Sequence, residues 1–121
     1  MTNRTNYLLA AAVLTLGLWA TPAAAQTYPA KPIKLVVGFA PGGAADFVSR
    51  SYQDALSKEL GQPIIVENRP GAGSSMAAEY VAKAAPDGYT LLIASPSSIL
   101  VNPILSPKAG FEAMRDLAPG G

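Results

Sequence analysis

Apolar and polar positions from Lys31 onward fall into two kinds of segment, and the first kind is short and almost wholly apolar. Three such runs occur: "KPIKLVVGF" (31–39), "IIVEN" (64–68) and "YTLLIAS" (89–95). Each is rich in β-branched or large aliphatic residues, without a sustained alternation of apolar and polar side chains. Runs of this kind are typical of strands covered on both faces, so they predict three strands of a parallel sheet.

The second kind of segment repeats its apolar residues at helical spacing, and the clearer of two such segments starts at Asp46. Its apolar face consists of Phe47, Val48, Tyr52, Ala55, Leu56 and Leu60. Charged side chains at Arg50, Asp54 and Lys58 repeat every four residues on the other side. Gly61 suits the left-handed position that follows a helix, so the pattern predicts a helix that ends there.

A second helix is predicted after the loop "RPGAGSS", with Ser74 or Ser75 as its amino-terminal cap. Met76 and Tyr80 lie on its apolar face and are expected in the core. Glu79 and Lys83 have the spacing of an ion pair on its exposed side. The turn "PDG" at 86–88 then ends this helix before the third apolar run.

Strand, helix, strand, helix, strand is the order of a doubly wound α/β layer, in which parallel strands all end at the same edge. Three loops rich in Gly and Ser would meet there: Gly38–Ala45, Arg69–Ser74 and Ser95–Ser98. Ligands of such sheets bind at the carboxyl ends of the strands. The pattern therefore predicts a ligand site formed by these three edge loops.

The first 25 residues have the features of a secretory signal peptide rather than of a folded element. Arg4 precedes an apolar stretch from Tyr7 to Ala20, and small residues follow it. Ala23 and Ala25 suit a signal peptidase, so we expect cleavage after Ala25 and a mature, periplasmic chain with no stable membrane anchor. The alternative is a membrane-spanning helix, but the apolar stretch is shorter than the ~20 residues that a span requires.

Composition removes several classes of function. The chain has no cysteine and no histidine, which excludes thiol nucleophiles, Ser-His-Asp triads and the usual zinc ligands. No metal or cofactor is expected, and an enzyme is disfavoured. Nine basic and eight acidic residues give a net charge of +1, and their scattered positions do not form the basic stripe of a nucleic-acid-binding protein.

The glycine loop after the first strand matches a phosphate-binding motif only in part. "GFAPGG" (38–43) matches G-x-x-x-x-G, but Ala44 and Ala45 stand where a P-loop needs Lys and Ser or Thr. Two interpretations of the loop remain open. Either the backbone N–H groups of a helix amino terminus hold a carboxylate there, or the loop is a plain turn with Asp46 as the helix cap.

Three segments carry a resemblance to a known family: "YPAKPIKLVVGFAPGGAADFVSR", "LGQPIIVENRPGAGSSMAAEYVAKAAPDGYTLLIAS", and "NPIL" with the later "DLAP". In this order and spacing they resemble the amino-terminal part of the Bug family, the periplasmic substrate-binding proteins of tripartite tricarboxylate transporters. The resemblance implies a type II, Venus-flytrap binding protein that captures a small carboxylate and delivers it to membrane permease subunits.

The resemblance also implies which residues of this chain contact the carboxylate. They come from the first and third edge loops: Phe39, Ala40, Gly42, Gly43, Asp46, Ser95, Pro96, Ser97 and Ser98. Three positions depart from the family pattern, since Gly38 replaces a common proline and Ala44-Ala45 replaces a more polar pair. Asp46 would repel an anion, so a role in ordering the loop or capping the helix is the favoured one. Arg69 is expected to be structural.

Family members continue well past this length into a second lobe. Residues 26–121 are therefore expected to be an incomplete first lobe, with a parallel three-stranded sheet and flanking helices. Two alternatives stay open: a small secreted hydrolase that uses a loop serine, and a fragment without function. The hydrolase is poorly supported, because no histidine or G-x-S-x-G motif is present to activate a serine.

Overall fold

The computed structural model describes residues 27–106 and 110–119. Its sheet has three parallel strands, β1 (Ile33–Val37), β2 (Ile64–Asn68) and β3 (Thr90–Ile93). The strand order is β2-β1-β3, so β1 is central and hydrogen-bonded on both sides. The three predicted strands are confirmed, while the leader and its cleavage point lie outside the described residues.

Helical segments connect the strands and follow the last of them. The longer helices are α1 (Ala44–Leu60) and α2 (Ser75–Ala82), and the shorter ones are α3 (Asn102–Leu105) and α4 (Ala113–Asp116). A 3-10 turn (Ala72–Ser74) precedes α2, and a π-helical turn (Ser97–Val101) precedes α3. As predicted, α1 ends at Gly61, which adopts a left-handed conformation with φ of 67°.

The two longer helices lie on opposite faces of the sheet. On one face, Arg50 of α1 donates a hydrogen bond to Asn68 of β2. On the other face, Lys34 of β1 donates to the Tyr80 hydroxyl of α2. Strand side chains alternate between the faces, so this arrangement confirms a doubly wound α/β layer. Its apolar centre is formed by Ile33, Leu35 and Ile64, against which Leu60, Val66, Tyr89 and Ile93 pack.

The orientation of α1 differs from a simple amphipathic arrangement. Phe47 and Tyr52 of its apolar face are 73% and 62% exposed, whereas the polar Ser49 is buried. The inner side bonds to the edge strand: Gln53 Nε2 donates to the Ile64 carbonyl at 2.8 Å, and the Ile64 N–H donates to Ser57 Oγ at 2.9 Å. Polar side chains thus face the sheet because they satisfy backbone groups of β2.

α2 approaches the sheet through small side chains. Ala77 and Ala78 are fully buried, whereas Met76 is 58% exposed. The expectation that Met76 belongs to the core was therefore wrong, because the helix turns Ala77 and Ala78 inward and leaves Met76 on its outer side. The predicted pair of Glu79 and Lys83 is formed.

The segment before β1 is fastened to the turn before β3. Tyr28 donates through its hydroxyl to the Gly88 carbonyl at 2.7 Å, and its ring lies 5.0 Å from that of Tyr89. The Ala30 N–H donates to the Tyr89 hydroxyl at 2.8 Å. Lys31 forms an ion pair with Asp87 at 3.3 Å and lies over the Tyr89 ring. Both ends of this contact lie at the amino edge of the sheet.

Within residues 27–106 and 110–119, the helices are too short or too polar for any of them to cross a membrane.

Candidate functional site

Three loops leave the carboxyl ends of the strands and lie next to one another, as the strand order requires. In the structure the first edge loop comprises residues 38–43, because α1 already begins at Ala44, the second comprises 69–74, and the third comprises 94–101. The first lies between the others because β1 is the central strand. The sequence predicted ligand contacts in the first and third loops, and the structure places both at the same edge of the sheet.

The first edge loop leads directly into the amino terminus of α1. Gly43 is the N-cap residue, and no side chain makes a capping hydrogen bond there. The Gly43 N–H bonds weakly to the Ala40 carbonyl at 3.3 Å. Gly42 has φ of 82°, a left-handed conformation suited to glycine, and space around its Cα is open. Residues 42–44 at this helix start are exposed, and the amino terminus of a helix is favourable for an anion.

Asp46 lies in the first turn of α1 and is 4% exposed. Its carboxylate accepts hydrogen bonds from Arg50 Nε at 3.0 Å, the Gly42 N–H at 2.9 Å and Asn68 Nδ2 at 2.9 Å. The Arg50 guanidinium first, and then these two N–H donors, lower the pKa of Asp46 to about 2. Asp46 therefore orders the loop, and the alternative that it is the N-cap was wrong because Gly43 holds that position.

The three serines of the third edge loop have different roles. Ser98 is fully buried, and its hydroxyl accepts from the Ser95 N–H at 3.1 Å and donates to the Ser95 carbonyl at 2.8 Å. That hydroxyl is engaged within its own turn. Ser95 and Ser97 have their hydroxyl oxygens 3.1 Å apart, and Ser97 is exposed. Ser95 is half-buried, and its hydroxyl also accepts from the Ser98 N–H at 3.3 Å.

The other predicted contacts are exposed backbone positions. Phe39, Ala40, Gly42 and Gly43 are exposed in the first edge loop, and Pro96 is exposed in the third. Whether any of the predicted residues contacts a ligand remains a prediction.

The Arg69 side chain is held by partners on the α2 face of the sheet. Its guanidinium stacks on the Tyr80 ring at 3.7 Å and pairs with Glu67. Glu67 also pairs with Lys34 at 2.9 Å, and the bond from Lys34 is the main reason that the pKa of Glu67 is lowered. This network agrees with a structural role for Arg69.

Sequence reasoning missed two asparagines that join the edge loops. Asn68, the last residue of β2, donates to the Phe39 carbonyl at 3.1 Å and to Asp46. Asn102 donates to the Gly73 carbonyl at 3.0 Å and to Ser75 Oγ at 3.1 Å. The position of Asn68 at a strand end was an available signal, whereas the contacts of Asn102 depend on the tertiary fold.

The first and second loops also meet at a tight packing contact. Ser74 is 2% exposed, and its hydroxyl has no hydrogen-bond partner among the residues that the structure describes. A Cβ at Gly38 would lie only 1.6 Å from Ser74 Oγ. Position 38 must therefore be glycine while serine occupies position 74. Ser74 is the N-cap residue of α2, which is one of the two predicted positions, but no side-chain capping bond is formed there.

The described ranges contain no cluster of three or more side chains suited to a metal ion. Hydroxyl groups at the edge include those of Ser95 and Ser97, and hydroxyls and backbone N–H groups are donors that can bind anions through hydrogen bonds.

Comparisons with known proteins identify relatives of this arrangement. Residues 48–119 match a family model described as "Tripartite tricarboxylate transporter family receptor". A UPF0065 protein of Bordetella bronchiseptica is 46% identical over 112 residues, which cover 93% of this chain and 33% of that protein. The chain spans about a third of the length of the curated relatives it matches.

Solved structures share the fold. One described as "Structure of a periplasmic transporter" is 48% identical with a TM-score of 0.66, and the match covers 70% of this chain and 29% of the other. MatC from Rhodopseudomonas palustris with bound malate is 41% identical with a TM-score of 0.65, again over 70% of this chain and 29% of the other. The fold is thus that of part of a periplasmic-binding-protein lobe, and the matched family is one of receptors rather than enzymes.

Proposed function

Because this chain belongs to the tripartite tricarboxylate transporter receptor family, we propose that it takes part in capturing a small di- or tricarboxylate, or a related organic acid, in the periplasm. The observation that carries the proposal is the uncapped amino terminus of α1, which lies at the same sheet edge as the hydroxyls of Ser95 and Ser97. The malate bound to the MatC relative supports the ligand class.

The chemistry of the edge suits a carboxylate. Backbone N–H groups at a helix start donate to anions, and the helix dipole adds a favourable field. Asp46 does not oppose this, because Arg50 and two N–H donors compensate its charge. The hydroxyls of Ser95 and Ser97 would donate to the same ligand or to a bridging water.

The delivery of the ligand to permease subunits of a tripartite transporter is part of this proposal. The proposal also includes export by the leader at 1–25 and cleavage after Ala25. It further assigns residues 26–121 to the first lobe of a two-lobed receptor. The apolar leader and the share of the solved relatives that the chain covers support these points.

Thermal unfolding with a panel of acids tests the proposal. Malate, succinate, adipate, citrate and acetate would be added to the mature chain, and we expect at least one to raise Tm. A ligand at 100 times its Kd stabilises the folded state by about 2.7 kcal/mol. No shift with any acid at millimolar concentration would show that the chain does not bind carboxylates.

Serine variants locate the site. Replacing Ser95 and Ser97 together by alanine should weaken binding by roughly 10-fold or more, since each hydrogen bond to a charged group contributes about 1.5–3 kcal/mol. Ser51→Ala is the matched control, because Ser51 is exposed on α1 and its hydroxyl donates to the Phe47 carbonyl within the helix. Equal losses of affinity in the double variant and in Ser51→Ala would show that the ligand does not bind at Ser95 and Ser97.

A further inference from the structure

Asn102 connects two of the edge loops through one side chain. It follows the π-helical turn of the third loop, and its backbone N–H donates to the Ser97 carbonyl. Its side-chain Nδ2 donates to the Gly73 carbonyl at 3.0 Å, to Ser75 Oγ at 3.1 Å and, more weakly, to the Ala72 carbonyl at 3.4 Å. The same residue therefore holds Ser97 on one side and the second loop on the other.

The second loop is shaped to receive this side chain. Gly73 has φ of 60°, and a Cβ there would lie 2.7 Å from Asn102 Nδ2. A side chain at position 73 would displace the amide, so glycine permits the close approach. Two of the three partners are carbonyl oxygens, which only accept hydrogen bonds, so the side chain that bridges them must be a donor.

We propose that Asn102 is a positioning residue that fastens the third edge loop to the second. It thereby keeps the hydroxyls of Ser95 and Ser97 in a fixed place beside the amino terminus of α1. The binding role of this contact rests on the proposed function, whereas the contact between the loops does not. Preorganised donors lose less freedom when a ligand binds, so a loosened third loop binds its ligand more weakly.

Two pairs of variants separate positioning from general stability. Asn102→Ala removes the amide, and Asn102→Asp keeps its size but presents carboxylate oxygens to the carbonyls of Ala72 and Gly73. The matched controls are Gln53→Ala and Gln53→Glu. Gln53 also donates from a side-chain amide to a backbone carbonyl, that of Ile64, but at the amino edge of the sheet.

Hydrogen exchange measured by mass spectrometry tests the contact without a ligand. We expect both Asn102 variants to speed exchange in peptides that cover 71–76 and 97–102 together, and the Gln53 variants to leave both unchanged relative to the rest of the sheet. Unchanged exchange in either peptide of the Asn102 variants would overturn the proposal that the two loops are fastened here.

Calorimetric titration with malate and adipate tests the role in binding. For an acid that the unaltered chain binds, we expect Kd to rise by about 10-fold or more in both Asn102 variants. In the Gln53 variants Kd should rise by less than about 2-fold, even where they lose as much Tm as the Asn102 variants. Equal Kd changes in the two pairs would overturn the positioning role. If the unaltered chain binds no acid of the wider panel, the proposed function and the binding role of Asn102 both fail. Hydrogen exchange would still show whether Asn102 holds the second and third edge loops together.

Discussion

At the residue scale, Asp46 explains how an acidic side chain can belong to the edge of an anion site. Its carboxylate points into the protein, where Arg50 and two N–H donors surround it. Those partners fix the glycine loop relative to α1 and to the end of β2. The negative charge of Asp46 is therefore compensated within the protein.

The bonds of Asp46 predict an acid-sensitive contribution to stability. The pKa of Asp46 falls from its ordinary value of 3.8 to about 2 on folding, so the ionised form is favoured by the native state. Its contribution is complete above about pH 4 and is lost as pH falls toward 2. We expect Asp46→Asn to lower Tm by several degrees at pH 7 and by progressively less between pH 4 and pH 2.5.

Asp54→Asn is the control for this comparison, because Asp54 lies on an exposed part of α1. Its Tm should follow that of the unaltered chain at each pH in the same thermal scans. If the difference in Tm between Asp46→Asn and the unaltered chain stayed constant from pH 7 to pH 2.5, the ionised Asp46 would not be the source of the acid-sensitive stability.

Gly38 and Ser74 are in close contact, so the residue at one position restricts which residue fits at the other. The Cβ of an alanine at 38 would collide with the Ser74 hydroxyl. Overpacking of this kind typically costs about 1–3 kcal/mol, and we expect that loss in the free energy of unfolding for Gly38→Ala. Ser74→Gly should remove most of it, because it deletes the colliding atom and suits the φ of 73°.

Urea unfolding of the two single variants and the double variant measures this coupling. Additive losses in the double variant would show that the two positions do not interact.

At the element scale, α1 is the helix whose packing least resembles its sequence pattern. Its buried side includes Ser49 and Asp46, and its outer side carries Phe47 and Tyr52. In this chain, Phe47→Ala and Tyr52→Ala should each change the free energy of unfolding by less than about 0.5 kcal/mol. Ile33→Ala, in the buried centre, should cost about 2–5 kcal/mol.

The same denaturant series should show that the polar side of α1 matters more than its aromatic side. Gln53→Ala and Ser57→Ala each remove one bond to Ile64, with an expected loss of about 0.5–1.5 kcal/mol. A larger loss for Phe47→Ala than for Gln53→Ala would show that α1 packs through its apolar face instead.

Elements with one strong local signal could be predicted from sequence. The strand "IIVEN" was predicted with the bounds that the structure has, and the end of α1 at Gly61 followed from a glycine in a left-handed position. The face that α1 presents to the sheet could not be predicted, because periodicity does not show that β2 offers backbone groups to Gln53 and Ser57. Likewise, spacing alone could not show that Ser98 turns inward while Ser97 stays exposed.

At the scale of the whole molecule, stability should be centred on β1. Both neighbouring strands pair with it, and Val36 and Val37 have no exposed surface. We expect the amides of Leu35 to Val37 to exchange most slowly, with free energies of opening that approach the global value, and those of α4 to exchange fastest. Residue-resolved hydrogen exchange by NMR measures this order, and faster exchange in β1 than in α1 would contradict it.

The contact between Tyr28 and the turn at Gly88 also determines how the chain can be handled. Because it holds the segment before β1 at the amino edge of the sheet, a fluorophore or affinity tag joined ahead of residue 27 emerges on the side opposite the edge loops. Such a label leaves the carboxyl edge open. An immobilised chain in a biosensor would accordingly present its glycine and serine loops to the solution.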